Sequence, residues 1–288
     1  MLEHTEPRTV FHSSRTDLKK TGIKMYRYVV HEYTLPNGSV WKLRAIFDGH
    51  MGYDTVNHVA EHLSTKVQDR LNNAFPKLDP DSVSSLLAEV ITTVDDSLLV
   101  DLLSGIPSES QLSSLTEYEV QNILGGDHRS KVLRSMQGTT VIIALTNPDN
   151  EDLWVASLGD SYADVKYVDL KSKRLGDSPS RLNTDKKGND IVLRMCLLMC
   201  TDGLVDLYED ELETKEPLDI FQRCMDVACA VPTARYCKTS TTDHCDNVAL
   251  SILRDALGGT DIEKVSTMMT VEMQDKWMDD TTILFEFL

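Results

Sequence analysis

The chain is short of positive charge. Its 29 Lys and Arg face 46 Asp and Glu, a net charge of −17. A field of that sign repels phosphate backbones and anionic lipid heads, which weighs against nucleic-acid and membrane-surface partners. Long apolar runs are also missing: none approaches the roughly 18 consecutive apolar residues of a spanning helix. The opening MLEHTEPRTVFHSSR has no continuous apolar h-region. The expectation is a soluble intracellular protein, cytoplasmic by default. Arg8, Arg15, Lys19 and Lys20 would suit a mitochondrial leader, but Glu3, Glu6 and Asp17 interrupt the acid-poor character such a leader needs. No CxxC pair occurs. The six cysteines, Cys196, Cys200, Cys224, Cys229, Cys237 and Cys245, all fall in the last third and read as reduced thiols. A zinc site from Cys237, His244 and Cys245 is the alternative, and the adjacent ligands His244 and Cys245 suit a closed tetrahedral site poorly.

No Ser/Gly-rich linker and no internal repeat divides the sequence. Residues 25–288 therefore read as one domain behind an N-terminal extension, 1–24. YRYVVHEYT (26–34) and VWKLRAIF (40–47) flank Pro36-Asn37-Gly38-Ser39, and Asn-Gly between apolar runs signals an antiparallel hairpin. Helical spacing follows from Asp54 through Leu71, and again from Asp81 through Leu98. GTTVIIAL (138–145) and DLWVASLGDSYADVKYV (152–168) bracket Asn147-Pro148-Asp149-Asn150 as a second hairpin. IVLRMCLLMC (191–200) reads as a buried strand, 208–230 and 244–257 as helices with Gly258-Gly259 as a cap, and TTILFEFL as a final strand. Hairpins and helices in blocks, rather than alternating βαβ units, predict a layered α+β domain.

Three acids sit at the ends of apolar strands: Asp48 after RAIF, Asp202 after CLLMCT, and Asp279 before TTILFEF. Converging Asp side chains with waters are hard oxygen ligands of the kind Mg²⁺ or Mn²⁺ takes. The alternative is that Asp-Gly is simply a turn signal after a strand.

FDGHMG (47–52), GTT (138–140), VASLGDS (155–161), MCTDGLVDL (199–207) and DDTTILF (279–285) occur in one order that resembles protein phosphatase 2C, the metal-dependent Ser/Thr phosphatases. The similarity spans about residues 26–288, and DNVALSILRDALGG (246–259) followed by DIEKVSTMM is most similar to the pyruvate dehydrogenase phosphatases. The resemblance implies a four-layer αββα sandwich of two antiparallel sheets flanked by helices, with a dinuclear Mg²⁺ or Mn²⁺ site at one edge. It implies that Asp48 bridges two ions, that Gly49 offers its carbonyl to one, and that Asp202 and Asp279 complete the other. Asp160 matches an aspartate of an additional, weaker metal. His50 matches the histidine that acts as general acid toward the leaving oxygen. Asp280 stands where many members have Asn. The implied reaction is hydrolysis of phosphoserine or phosphothreonine in a phosphoprotein by a metal-activated water.

The pattern also breaks. Active members carry an Arg and, shortly after it, a Glu-Asp pair on the first strand, and no Glu-Asp pair precedes residue 48. With the hairpin centred between Asn37 and Gly38, a residue near 27 lies opposite Asp48, among Met25, Tyr26, Arg27 and Tyr28. A slipped register would instead align Arg27, His31 and Glu32 with the Arg and the acid pair. Tyr162 replaces the Arg common after GDS and offers no guanidinium fork. The interval from Asp160 to Asp202 is short for the family, so the flap region near 163–190 is abbreviated, and it carries a basic cluster of Lys166, Lys171, Lys173 and Arg174 that could steer an acidic or phosphorylated partner segment. The expectation is a phosphatase of impaired activity. The competing reading is a pseudophosphatase, a binding module that docks a protein partner.

Overall fold

In the computed structural model, residues 10–15, 26–126, 128–147, 152–169, 175–176, 193–214, 216–230, 247–270 and 279–288 are described. They fall into two compact units, Leu18–Ser161 and Met1–Asp17 with Tyr162–Leu288.

Within Leu18–Ser161 the expected hairpin is present as β2 (Tyr26–Thr34) and β3 (Val40–His50). β3 pairs in turn with β5 (Val141–Thr146), and β5 with β6 (Leu153–Leu158), giving an antiparallel sheet ordered β2-β3-β5-β6; the two-residue β4 (Gly138–Thr139) pairs with the end of β3. Period-two alternation on β3 sends Leu43, Ala45 and Phe47 to one face. There they bury against Val56, Val59, Leu63 and Leu71 of α1 (Asp54–Ala74) and Val83, Leu87 and Val90 of α2 (Pro80–Gly105). α2 begins just before Asp81: Asp79 is its cap, accepting from the Ser82 N–H at 3.0 Å, with Pro80 in the first turn, where its missing N–H costs nothing. Beyond α2 lie α3 (Glu109–Leu112), α4 (Glu117–Gly125) and α5 (Arg129–Met136).

The second unit holds a sheet ordered β1-β10-β9-β7-β8, from β1 (Val10–Arg15), β7 (Tyr162–Asp169), β8 (Leu175–Gly176), β9 (Leu193–Cys200) and β10 (Thr281–Phe287). β1 lies inside the N-terminal extension and pairs antiparallel with β10, a pairing no local sequence signal announced. Cys196, Leu198, Ile283 and Phe285 bury against α6 (Asp202–Leu212), α7 (Pro217–Ala230) and α8 (Val248–Ala256); α9 (Ile262–Thr270) follows.

Two readings of continuity are corrected. Residues 152–168 form not one strand but β6 and β7, which belong to different sheets; the break is at Gly159, whose φ of +100° an L side chain resists. The helix placed at 208–230 is two helices. The first starts at Asp202 and ends at Glu213, a left-handed residue, and Pro217 opens the next because it cannot continue the first. The Gly258-Gly259 cap is as expected, both residues at positive φ and the Gly259 N–H donating to the Arg254 carbonyl at 2.9 Å. Among the described residues no helix is long and apolar enough to cross a membrane.

Candidate functional site

Asp48 and Gly49 lie at the end of β3, where the chain leaves the sheet for α1. Their backbone is fixed by the GTT segment. Gly49 pairs with Thr139 and His50 with Gly138, while the Thr140 N–H donates to the Asp48 carbonyl at 2.7 Å and the Asp48 N–H to Thr140 Oγ1 at 3.2 Å. Thr140 Oγ1 also shares a 2.8 Å hydrogen bond with Ser161 Oγ, and a Cβ on Gly159 would lie 2.8 Å from the Thr140 methyl. Thr140 of the GTT segment thus grips the backbone of Asp48, and Ser161 of the GDS segment braces Thr140. Asp160 sits in the exposed turn between Gly159 and the buried Ser161.

His50 is exposed, and its ring lies directly over Gly138, where a Cβ would overlap it. A larger residue at 138 would displace the imidazole. The following turn holds Met51 at φ 64° and Gly52 at φ 150°. α1 has no capping side chain of its own, because Tyr53 occupies the cap position. Gln137 supplies the cap from a distance. Its Oε1 accepts from the Asp54 N–H at 2.7 Å and the Thr55 N–H at 3.4 Å, and its Nε2 donates to Asp54 Oδ2 at 3.0 Å. Sequence reasoning missed Gln137; its adjacency to GTT was the available signal.

In the other unit, Asp202 opens α6, where the helix N-terminus favours a carboxylate, and Asp279 lies two residues before β10. Pairing of β9 with β10 brings their flanks together: Thr201 Oγ1 donates to the Asp280 carbonyl at 3.1 Å and accepts from the Thr282 N–H at 2.9 Å. Gly203 packs so close that a Cβ would lie 2.6 Å from that same carbonyl, which explains the glycine after Asp202. Asp279 Oδ1 accepts from the Asp280 N–H at 2.7 Å. The buried Cys200, one strand position from Thr201, has its thiol held well above the ordinary range, first by burial and then by the charges of Cys224 and Asp202.

Within its own unit each pair, Asp48 with Gly49 and Asp202 with Asp279, offers hard oxygen donors. That chemistry fits a hydrated Mg²⁺ or Mn²⁺, which keeps several waters and needs only one or two carboxylates. Among the described residues no group of three or more His, Cys, Asp or Glu side chains is arranged to hold a metal ion.

The hairpin register settles the first-strand question. Tyr26 pairs with Asp48, Arg27 with Phe47 and Glu32 with Lys42. The pairing is one residue from the expected centre because residues 35–39 form the turn, with the Gly38 N–H donating to the Leu35 carbonyl and the Leu35 N–H to the Ser39 carbonyl, both at 2.8 Å. Glu32 is six positions from the Asp48 pairing, so the slipped alignment fails. Arg27 lies on the opposite face of the sheet from Asp48, and its Nη1 donates to the Tyr26 carbonyl at 2.6 Å. Tyr162 begins β7, opposite Cys200, with its ring 5.9 Å from that of Phe221. Lys166 lies on β7; Lys171, Lys173, Arg174, Cys237, His244, Cys245 and most of 163–190 lie outside the described residues.

No protein-family model and no curated protein matches the chain. Solved structures do. A C. elegans sex-determining protein aligns with a TM-score of 0.52 at 14% identity, over 97% of this chain and 64% of that one, so this chain spans just under two thirds of its length. The serine-threonine phosphatase 2C of Toxoplasma gondii aligns with a TM-score of 0.51 at 10% identity, over 98% and 96% of the two chains. At such identities the likeness is one of architecture, and it agrees with two antiparallel sheets each backed by helices: the chain has the fold of the 2C-type serine/threonine phosphatases.

Proposed function

We propose that the chain is a Mg²⁺- or Mn²⁺-dependent phosphatase of phosphoserine and phosphothreonine in proteins, with low turnover. The observation that most supports this is the backbone clamp on Asp48, in which a segment distant in sequence fixes the main chain of a strand-end aspartate and seats the histidine two residues on. Asp48 with the Gly49 carbonyl, and Asp202 with Asp279, are the oxygen donors in this reading, and Asp160 serves a weaker additional cation. A divalent cation at such donors supplies a Lewis acid that offsets phosphoryl charge and activates water. His50, seated on Gly138, donates a proton to the departing Ser or Thr oxygen.

Low turnover follows from what stands beside Asp48. Tyr26 faces it where a carboxylate would strengthen cation binding, and Arg27 is turned to the other face of the sheet, so neither orients the phosphoryl group. A bidentate guanidinium gives orientation as well as charge, and its loss slows the reaction. The test is hydrolysis of an aryl phosphate and of a phosphoserine peptide with Mn²⁺ and with chelator. Slow, Mn²⁺-dependent release that Asp48→Ala abolishes is expected. Activity that survives Asp48→Ala or chelation would refute the assignment.

A further inference from the structure

A pocket of about 180 Å³ opens beside His50, inside the unit Leu18–Ser161. Its walls are apolar: Val59 of α1, Val94 and Leu98 of α2, Val141 of β5 and Leu158 of β6. Val59, Val94 and Val141 are buried core residues, so the back wall is rigid, whereas Leu158 is 52% exposed and marks the mouth. Thr55 and Gln137 also line it, but their polar atoms are committed, Thr55 Oγ1 to the Arg134 carbonyl at 2.6 Å and Gln137 to the start of α1. The charged side chain of the lining is Asp95, which is exposed and therefore contributes little to holding a ligand. A wall of this kind rewards burial of an apolar group and rejects an acidic one. A volume near 150 Å³ already accommodates a benzene ring.

We infer that this pocket is a subsite for a large apolar side chain, Leu, Met or Phe, on a residue adjoining the phosphorylated Ser or Thr of the substrate. This rests on the function proposed above. If His50 serves the leaving oxygen, the phosphorylated residue lies against His50, and its neighbours in the chain are only about 3.8 Å away along the backbone. The pocket shares His50 with that site, so a neighbouring side chain reaches the apolar wall without a detour. Specificity in this reading comes from Val94, Leu98, Val141 and Leu158 rather than from phosphate grip.

The test measures binding with Mn²⁺ present, by fluorescence anisotropy, of peptides that carry a non-hydrolysable phosphonate analogue of phosphoserine flanked on both sides by Phe, Leu, Ala, Lys or Asp. The Phe and Leu peptides should bind at least about fivefold tighter than the Ala peptide, the order expected from burying one apolar side chain. Leu158→Asp, at an exposed edge position that tolerates charge, should erase that preference and leave the Ala peptide unchanged. Equal affinities for Phe and Ala peptides would overturn the subsite while sparing the phosphatase reading. A Lys peptide that binds best would overturn it in favour of Asp95. If no peptide binds whatever its neighbours, the phosphatase reading falls and the subsite with it.

Discussion

Replacing Gln137 with Ala should loosen the start of α1. The side chain satisfies two N–H groups of the first turn, those of Asp54 at 2.7 Å and Thr55 at 3.4 Å, and donates to Asp54 Oδ2 at 3.0 Å. Losing a helix cap typically costs about 1 kcal/mol. The lost hydrogen bond to the Asp54 carboxylate adds about 1 kcal/mol more. The total is about 2 kcal/mol, or a fall of roughly 3 °C in melting temperature for a chain of this size. Urea denaturation followed by circular dichroism should show the same loss as a lower midpoint at unchanged slope. Gln137→Glu sharpens the test. It retains the acceptor for the two N–H groups but sets an oxygen against Asp54 Oδ2, so at neutral pH it should fall between wild type and Ala and recover as the pH is lowered. A Gln137→Ala protein within about 0.3 kcal/mol of wild type would refute the reasoning, because it would mean the start of α1 needs no support from Gln137.

Thr201→Val keeps the shape of a fully buried side chain but removes the bonds to Asp280 and Thr282, and should cost about 2–3 kcal/mol by urea melt. Asp255→Asn breaks a fork in which Arg223 Nε and Nη2 donate at 2.8 and 2.7 Å while Tyr208 donates at 2.9 Å; with Arg223 about half exposed, a loss of about 1–2 kcal/mol is expected in the same measurement. Burial pushes the Cys224 thiol from 9.0 up to about 12, and the Tyr33 hydroxyl from 10.0 up to about 12. Both groups are neutral in the fold and ionise earlier when unfolded, so their stabilisation is intact below pH 9 and is lost between pH 9 and 12; Cys224→Ala should flatten the lower part of that decline in urea midpoints. His58 is shifted the other way, held below its ordinary 6.5 by burial first and then by His62 and Arg134. The unfolded chain takes up that proton more readily, so stability present above pH 6.5 is lost as pH falls below it, and His58→Gln should reduce the slope there.

Much of the fold was legible because it is local. Asn37-Gly38 between two period-two runs announced β2 and β3, and the 3.6-residue spacing from Val56 to Leu71 announced α1. The register was not fully legible. Leu35 is buried, which draws the first loop residue into the core and shifts the pairing register by one residue, and in a sheet one residue decides which face a side chain takes. β1 escaped notice because its partner β10 lies at the far end of the chain, and a pairing of that kind leaves no trace in a short window. Of the site, the strand-end placement of Asp48, Asp202 and Asp279 could be read from the apolar runs beside them. The support given by Gln137, Thr140 and Ser161 could not, since each contact joins residues that are far apart in sequence.

The cation site proposed for Asp48, Asp202 and Asp279 is checked by isothermal calorimetry with Mn²⁺ on wild type and Asp202→Ala. Saturable heat in the wild type that is lost or greatly weakened in Asp202→Ala, with both proteins folded by circular dichroism, is the predicted result; equal heats from the two proteins would contradict it.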